Sequence, residues 1–248
     1  MEKEAKAEIA AILQECIDGT LKRVAEAKTY KPFHDALLTK EIVSASAFER
    51  SFSTSFGQGP IEQISKIIII STGAECIRQK ETRVNIHKGA EDEVGRILHS
   101  LRSGDATPNW EKELARVLAF TKGDYIQRRI ISDLWINKNG TEIFISVKTV
   151  KPNIDQTEIV KRDMLLLKAH DSKYKTYFGL YYNPGGPKRQ NYNWPIPSKI
   201  FDMLNDNCIL IGQEYWDLLG GEGTYKDLLE IFKEIGEETR AQLTKLGH

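Results

Sequence analysis

Residues 130–150 read IISDLWINKNGTEIFISVKTV, and this stretch decides the fold. β-branched and aromatic side chains dominate both halves, and the NKNG segment at residues 137–140 separates them. An Asn-Gly pair between two such runs is a strong signal for a β-hairpin. Side chains alternate between the two faces of a strand, so Ser146 and Lys148 share one sheet face. The stretch therefore predicts two antiparallel strands, with Asp133 on the first and Lys148 on the second.

Asp133 and Lys148 are the residues of this hairpin that point to chemistry. Asp133 lies in an apolar run, where an unpaired carboxylate is costly to bury and a metal ion would compensate it. Mg²⁺ takes oxygen ligands, and a lysine can meet the charge that develops on a phosphate when a metal-bound water attacks it. The pattern indicates a Mg²⁺-dependent phosphodiesterase core. The alternatives are a solvated strand aspartate and a lysine that extends from a sheet edge into water.

Four further stretches accompany the hairpin along the chain. They are AFERSFSTSFGQ at 47–58, KTVKPN at 148–153 followed by Asp155 and Gln156, YYNP at 181–184, and LGGEGTY at 219–225. Taken in this order with the hairpin, they resemble the PD-(D/E)xK superfamily of nucleases. Within that superfamily they are most similar to the type II restriction endonucleases of the TdeIII group.

The resemblance implies an α/β fold with a restriction-endonuclease-like mixed sheet flanked by helices and a helix-rich N-terminal half. It implies Mg²⁺ as cofactor and cleavage of double-stranded DNA at the interrupted palindrome GGNCC. A palindrome presents the same half-site twice, so a homodimer is expected. A DNA methyltransferase of the same restriction system is the expected protector of host DNA. The rival interpretations are a catalytically silent DNA-binding protein on the same scaffold and a helical interaction protein without a DNA role.

Residue 146 departs from that family, which usually has Asp or Glu two positions before the lysine. Ser146 offers a metal only a neutral hydroxyl. The acid can have migrated to the following helix, where Glu158 is the candidate, although Glu158 also suits a helix cap for Asp155. It can instead have been replaced to trap an inactive complex, or have been lost in a weakened natural homologue.

The candidate site residues fall into three groups. The catalytic set is Asp133, Ser146 and Lys148. The predicted metal ligands are Asp133, the carbonyl of Val147, Glu62 from an early helix, and Glu158. The predicted DNA contacts are Ser53, Thr54, Gln58, Lys151, Asn153, Gln156, Lys188, Arg189 and Asn191. Arg189 is expected to read guanine, because arginine bonds well to the O6 and N7 acceptors of that base.

The bulk properties set limits on partners and location. The chain has 248 residues with 35 Lys and Arg against 35 Asp and Glu, and this neutrality argues modestly against non-specific coating of nucleic acid while leaving room for a segregated basic cleft. The 3 cysteines are far apart, which argues against a zinc site or a disulfide framework and favours the cytoplasm. No stretch is long and apolar enough to span a membrane.

Periodicity predicts a single nuclease domain in three parts: a mainly helical part at 1–122, a strand-rich catalytic core at 123–212 and C-terminal helices at 213–248. Helices are predicted at 2–28, 40–52, 61–71, 90–102, 110–120, 156–170, 214–219 and 225–246. Strands are predicted at 125–136, 141–150, 174–182 and 206–211.

Overall fold

The computed structural model describes residues 1–27, 30–57 and 59–246, with the side chains of residues 238 and 241–246 excepted. The α-helices are α1 (Lys3–Glu26), α2 (Pro32–Leu37), α3 (Lys40–Gly57), α4 (Pro60–Ser71), α5 (Lys88–Ser103), α6 (Trp110–Leu118), α7 (Ile154–His170), α8 (Gln213–Gly220) and α9 (Thr224–Leu246). The strands are β1 (Glu75–His87), β2 (Tyr125–Lys138), β3 (Thr141–Lys148), β4 (Lys175–Leu180) and β5 (Ile209–Ile211). The predicted mixed sheet flanked by helices is confirmed.

The strands form one five-stranded sheet in the order β1-β2-β3-β4-β5. β2 pairs antiparallel with both β1 and β3, whereas β3, β4 and β5 are parallel. The predicted hairpin joins β2 to β3 through Asn139 and Gly140, both with positive φ, which is the backbone that such a two-residue turn requires. The parallel crossover from β3 to β4 is α7. This topology brings the end of β3 and the middle of β2 together.

Two hydrophobic clusters cover the sheet. The first includes residues from α5, α6 and α7, with Phe144 of β3 and Phe178 of β4 at the sheet. The second includes residues from α1, α4, α8 and α9, with Leu134 of β2 and Ile145 of β3. Adjacent strand residues point to opposite faces, so Phe144 and Ile145 contact different clusters. The sheet is therefore an inner layer that is buried on both sides along β3 and β4.

The sequence analysis missed β1, which places a long strand inside the part predicted to be mainly helical. Its sequence, ECIRQKETRVNIH, is rich in charged residues, and only Cys76, Val84 and Ile86 are buried. The strand is held by its extended antiparallel register with β2, from Glu75 opposite Asn137 to His87 opposite Tyr125. A pattern search along the chain cannot see this partner, because it lies some fifty residues away.

The start of α7 also differs from the prediction. Asn153, not Asp155, is the N-cap: its Oδ1 accepts a hydrogen bond from the N–H of Gln156 at 2.8 Å. Gln156 closes the capping box, since its Oε1 accepts from the N–H of Asn153 at 3.2 Å. The amide pair therefore fixes the point at which the chain turns from β3 into α7.

A buried ion pair ties three elements of the first cluster together. The ammonium of Lys161 on α7 pairs with Glu113 on α6, donates to the carbonyl of Ile200 at 2.5 Å and lies 4.8 Å from the ring centre of Phe201. The Lys161 side chain is fully buried. Burial lowers the pKa of Lys161 and raises that of Glu113, in each case toward the neutral form.

Breaking this pair should destabilise the protein strongly. Glu113→Ala leaves a buried ammonium without its carboxylate, and we expect the free energy of unfolding to fall by about 3–5 kcal/mol in urea denaturation. The double variant Glu113→Leu/Lys161→Met should recover most of that loss. Arg83→Ala, at a side chain that is 73% exposed, is the control and should change stability by less than about 0.5 kcal/mol. If Glu113→Ala left the free energy of unfolding unchanged, the pair would have no role in stability.

Candidate active site

Asp133 and Lys148 are in direct contact. The Oδ2 atom of Asp133 accepts hydrogen bonds from the ammonium of Lys148 at 2.9 Å and from the N–H of Val147 at 2.7 Å. The side chains of Asp133 and Lys148 are 14% and 27% exposed, so the pair is shielded yet reachable from solvent. The structure thus brings together the carboxylate and the lysine that the hairpin pattern singled out.

The main-chain partner of Asp133 follows from the sheet register. The pairing of β2 with β3 runs from Lys138 opposite Thr141 to Leu134 opposite Ile145, one residue short of Asp133. Beyond it the N–H of Val147 bonds to the side chain of Asp133 instead of a β2 carbonyl. The contact from Val147 is thus made by its N–H, a donor that cannot ligate a metal. In an antiparallel ladder the N–H and C=O of one residue face the same neighbour, so the carbonyl of Val147 is expected on this side too.

Gln79 of β1 completes the cluster, and the sequence analysis did not identify it. Its Nε2 atom donates to Oδ1 of Asp133 at 3.1 Å and lies 3.0 and 3.1 Å from the two carboxylate oxygens of Glu62. Glu62, in the first turn of α4, also accepts a hydrogen bond from Arg78 at 3.3 Å. One amide group therefore joins the two carboxylates from β2 and α4.

The backbone at Gln79 is unusual for a strand. Gln79 has φ of +52°, a left-handed conformation that costs a non-glycine residue roughly 1–2 kcal/mol. The register of β1 with β2 passes from Arg78 opposite Leu134 to Lys80 opposite Ser132 and omits Gln79 and Asp133. No motif in the sequence signals this break, because glutamine is not a residue typical of the left-handed region.

The break changes which cluster each strand contacts. Cys76 of β1 packs in the second cluster, whereas Val84 and Ile86 pack in the first, although an even spacing would keep all three on one face. β2 also changes cluster along its length, since Ile130 packs in the first cluster and Leu134 in the second. Asp133 and Gln79 thus sit where both strands switch between the two clusters.

Asp163 of α7 is a second acid that the sequence analysis missed. Burial raises the pKa of Asp163, the charge of Asp133 raises it further, and the cations Arg162 and Lys148 oppose the shift. These interactions place Asp163 within electrostatic reach of the Asp133–Lys148 pair. Arg162 forms an ion pair with it at 2.9 Å. The α7 side of the sheet is also the side of Ser146 and Lys148, because Phe144 on the same face packs in the first cluster.

Glu158, the predicted migrated acid, is not part of this cluster. Its carboxylate pairs with Arg102 of α5 at 2.5 Å, and Asp155 pairs with the same guanidinium at 2.9 Å. This arrangement joins the start of α7 to α5. The reason for the difference is helical geometry: five residues separate Glu158 from Asp163, which is well over one turn, so the two side chains project differently from α7.

The loop at 183–197 packs directly over the chain that follows Lys148. Tyr192 donates to the carbonyl of Val150 at 3.0 Å, and the indole of Trp194 donates to the carbonyl of Pro152 at 3.0 Å. The ammonium of Lys151 lies 5.7 Å from the ring centre of Trp194. These contacts place the predicted DNA-binding loop against residues 150–152, just past Lys148, and its aromatic residues hold it there.

Arg189 does not have the role that its position in this loop predicted. Its guanidinium bonds to Glu214 of α8 at 2.6 and 3.0 Å and to the carbonyls of Met203, Asp206 and Ile209. The donors that would read guanine are engaged inside the protein, and the side chain is only 15% exposed. We correct the prediction: Arg189 fixes the loop onto the segment before β5, a set of contacts between residues distant in sequence.

The other predicted DNA contacts lie in different settings. The capping box uses Asn153 and Gln156, and Asn191 accepts a hydrogen bond from the N–H of the exposed Lys188 at 3.2 Å. On α3, Ser53 donates to Glu49 at 2.8 Å and Thr54 lines an open cleft. Gln58 lies outside the described residues.

The carboxylates fit a hard divalent cation. Glu62 and Asp133 accept hydrogen bonds from one amide group of Gln79, so their oxygens face a common point. Mg²⁺ is usually held by one or two carboxylates and completes its shell with water and substrate phosphate. Within residues 1–27, 30–57 and 59–246 no group of three or more His, Cys, Asp or Glu side chains is arranged to hold a metal alone. Two carboxylates are the number that protein sites commonly offer to Mg²⁺.

Comparison with known proteins agrees with this geometry. The family model described as HinfI, a type II restriction endonuclease, matches residues 1–236. The chain belongs to this family. Its members are site-specific deoxyribonucleases, so the resemblance to restriction endonucleases is confirmed at the level of the HinfI-type family.

Several curated relatives of this HinfI-family chain are type II restriction enzymes. HgiCII of Herpetosiphon aurantiacus is 27% identical over 237 residues, which cover 92% of this chain and 86% of HgiCII. HgiEI of the same organism is 28% identical and covers 92% of this chain and 85% of HgiEI. MjaII of Methanocaldococcus jannaschii is 28% identical over 79% of this chain and 56% of MjaII. No solved structure matches the chain. Among the described helices of this endonuclease-family chain, none has the length and apolarity of a membrane span.

The strain at Gln79 can be tested with two small substitutions. Gln79→Ala and Gln79→Gly both remove the amide that joins Glu62 to Asp133, but only alanine keeps the cost of a positive φ. We expect Gln79→Ala to have a free energy of unfolding roughly 1 kcal/mol lower than Gln79→Gly, measured by urea denaturation. Equal stability of the two variants would show that the backbone relaxes when the amide is removed.

Proposed function

We propose that the chain is a Mg²⁺-dependent type II restriction endonuclease that cuts both strands of DNA at GGNCC. The observation that carries the proposal is the contact between Asp133 and Lys148 in a chain of the HinfI-type family. A lysine held beside a carboxylate at the end of a strand suits a phosphate whose charge increases during hydrolysis. The mixed sheet supports the same assignment.

Asp133 and Glu62 are the proposed metal ligands, with the carbonyl of Val147 as a further oxygen donor. When bound there, Mg²⁺ would lower the pKa of its water and neutralise charge on the phosphate. Lys148 would donate to a phosphate oxygen or orient the nucleophile. Its present partner, Asp133, would keep it aligned until DNA enters.

Asp163 is the proposed replacement for the acid that is absent at residue 146. It follows Ser146 on the next helix, where it is largely buried and pairs with Arg162, and the charges of Lys148 and Asp133 also act on it. This revises the migrated-acid explanation, with Asp163 in the place of Glu158. An acid on α7 keeps the negative charge of the site while Ser146 stays neutral.

The remaining expectations from the resemblance belong to the same proposal. GGNCC rests on the motifs shared with the TdeIII group, and a homodimer rests on the symmetry of a palindrome. A cognate DNA methyltransferase and a cytoplasmic location follow from the biology of a restriction system. The second candidate is a silent DNA-binding protein on this scaffold, which Ser146 favours because a hydroxyl cannot replace a carboxylate charge.

The direct test is cleavage of a plasmid that carries one GGNCC site, with a plasmid that lacks the site as control. We expect linear product from the first plasmid with Mg²⁺, none with EDTA, and none from the second plasmid. Site-specific binding without cleavage at any Mg²⁺ concentration would favour the silent binding protein. Cleavage at a different sequence would keep the endonuclease and reject GGNCC.

Lys148→Ala should separate chemistry from binding. One lysine among many phosphate contacts contributes little to affinity, yet this lysine lies where charge develops. We expect loss of cleavage by about 2–4 orders of magnitude with DNA affinity within a few-fold of wild type, from single-turnover kinetics and gel shifts in Ca²⁺. Parallel loss of affinity and cleavage would make Lys148 a docking residue.

Asp163→Asn should lose cleavage and gain stability. Burial raises the folded-state pKa of Asp163, so the folded state favours its neutral form, and stability falls as pH rises through that pKa. Asparagine imitates the neutral form, and we expect a higher melting temperature than wild type at pH 7 and a smaller difference near pH 4. Glu158→Gln is the control on the same helix and should keep cleavage. Full activity of Asp163→Asn would remove Asp163 from the site.

A further inference from the structure

A cleft of about 560 Å³ opens between α1 and α3, and neither Asp133 nor Lys148 belongs to its lining. Its lining includes the cations Arg23, Lys31 and Arg50 and the hydroxyls of Ser51, Thr54 and Ser55. No carboxylate belongs to the lining. In a chain whose formal charges sum to zero, three cations without an acid in one cleft are a local concentration of positive charge.

Arg23 organises the hydroxyls of this cleft. Its Nη2 atom donates to Ser55 at 2.5 Å and to Thr20 at 2.9 Å, and its Nε atom donates to Ser51 at 3.3 Å. Ser51 and Ser55 therefore act as acceptors toward the guanidinium, and each keeps its own O–H to donate. A cation surrounded by free hydroxyl donors is a setting that suits an anion with several oxygens.

Arg50 and Lys31 are cations without a structural task. Neither side chain has a hydrogen bond or ion pair within residues 1–27, 30–57 and 59–246. Arg50 is exposed and stands one turn from Thr54, so the two side chains lie on the same face of α3. Both positions are available to a ligand at the cleft.

The cleft is close to the proposed cleavage site along α3. α3 ends at Gly57, where a methyl group would lie 3.9 Å from Cγ2 of Thr149, the residue that follows Lys148. Arg50 is seven residues before Gly57, or roughly 10 Å along the helix at 1.5 Å per residue. About three nucleotides of one DNA strand cover that length at 3.4 Å each.

We infer that the α1–α3 cleft binds backbone phosphates of the DNA strand beside the cleavage point. The inference rests on the proposed function and adds where the DNA backbone runs. Arginine forks and serine hydroxyls contact phosphate oxygens without regard to base, so the cleft positions the duplex and does not read its sequence. Ser53, by contrast, faces Glu49 and has no part in the cleft.

The test uses a double variant that leaves Arg23 in place, because Arg23 also joins α1 to α3. Lys31→Gln/Arg50→Gln removes two charges from the cleft. The matched control is Lys112→Gln/Lys122→Gln, which removes two exposed charges near α6. α6 packs on the first cluster, away from the lining of the cleft. Affinity for a GGNCC duplex and for a random duplex is measured by gel shift in Ca²⁺ between 50 and 200 mM KCl.

We expect the cleft variant to lose affinity for both duplexes by the same factor. The slope of log affinity against log salt should fall by nearly two, since each phosphate contact contributes about 0.9. The ratio of wild-type affinity to variant affinity should therefore fall about tenfold between 50 and 200 mM KCl. Arg50→Lys keeps the charge at residue 50 and should keep the wild-type slope.

Four outcomes would overturn the inference. A cleft variant that matches the Lys112→Gln/Lys122→Gln control would show that the cleft does not contact DNA. Loss confined to the GGNCC duplex would make the cleft a base-reading surface. If Arg50→Lys lowered the slope of log affinity against log salt, the contact at residue 50 would depend on the geometry of the arginine and not on its charge. Wild-type protein that binds neither duplex would reject the proposed function as well, whereas specific binding without cleavage would reject only the enzyme and leave the cleft test valid.

Discussion

The carboxylate of Asp133 is the contact on which the site depends. It lies where β2 loses its regular pairing on both sides, with Gln79 skipped in the register with β1 and Val147 beyond the last pair with β3. A carboxylate that accepts hydrogen bonds from Gln79, Val147 and Lys148 takes the place of the missing ladder bonds. Buried backbone donors need partners, so the side chain supports the sheet and defines the site at once.

At the same point β1 and β2 change from packing in one hydrophobic cluster to packing in the other. Cys76 of β1 and Leu134 of β2, on one side of the break, pack in the cluster that contains α4, whereas Val84 of β1 and Ile130 of β2, on the other side, pack in the cluster that contains α5 and α7. Glu62 of α4 is joined to Asp133 through Gln79, and Asp163 of α7 lies within electrostatic reach of Asp133. A regular ladder would have kept each strand face, and with it each acid, on one side. The left-handed backbone of Gln79 is therefore part of how the cluster forms.

Several residues with the chemistry of DNA readers serve the fold instead. Asn153 and Gln156 cap α7, and Arg189 fastens its loop to the segment before β5 and to Glu214. An isolated sequence cannot distinguish these uses, because a guanidinium that would bind guanine binds carbonyl oxygens equally well. Arg50 and Lys31, which have no ion pair among the described residues, line the cleft from α3 and from just before α2, where the sequence shows only an ordinary amphipathic helix and a short connection.

The sequence by itself determined the hairpin, the helices other than the short α2, and the pair Asp133 and Lys148. These depend on local signals: the hydrophobic period, an Asn-Gly turn and a charged residue in an apolar run. Only the tertiary structure decided what surrounds that pair. β1 is stabilised by β2, and Gln79 reaches Glu62 and Asp133 from a strand without a sequence signature. Asp163 lies within electrostatic reach of Lys148, whereas Glu158 pairs with Arg102. Each of these depends on contacts between segments far apart in the chain, whose geometry no local pattern encodes.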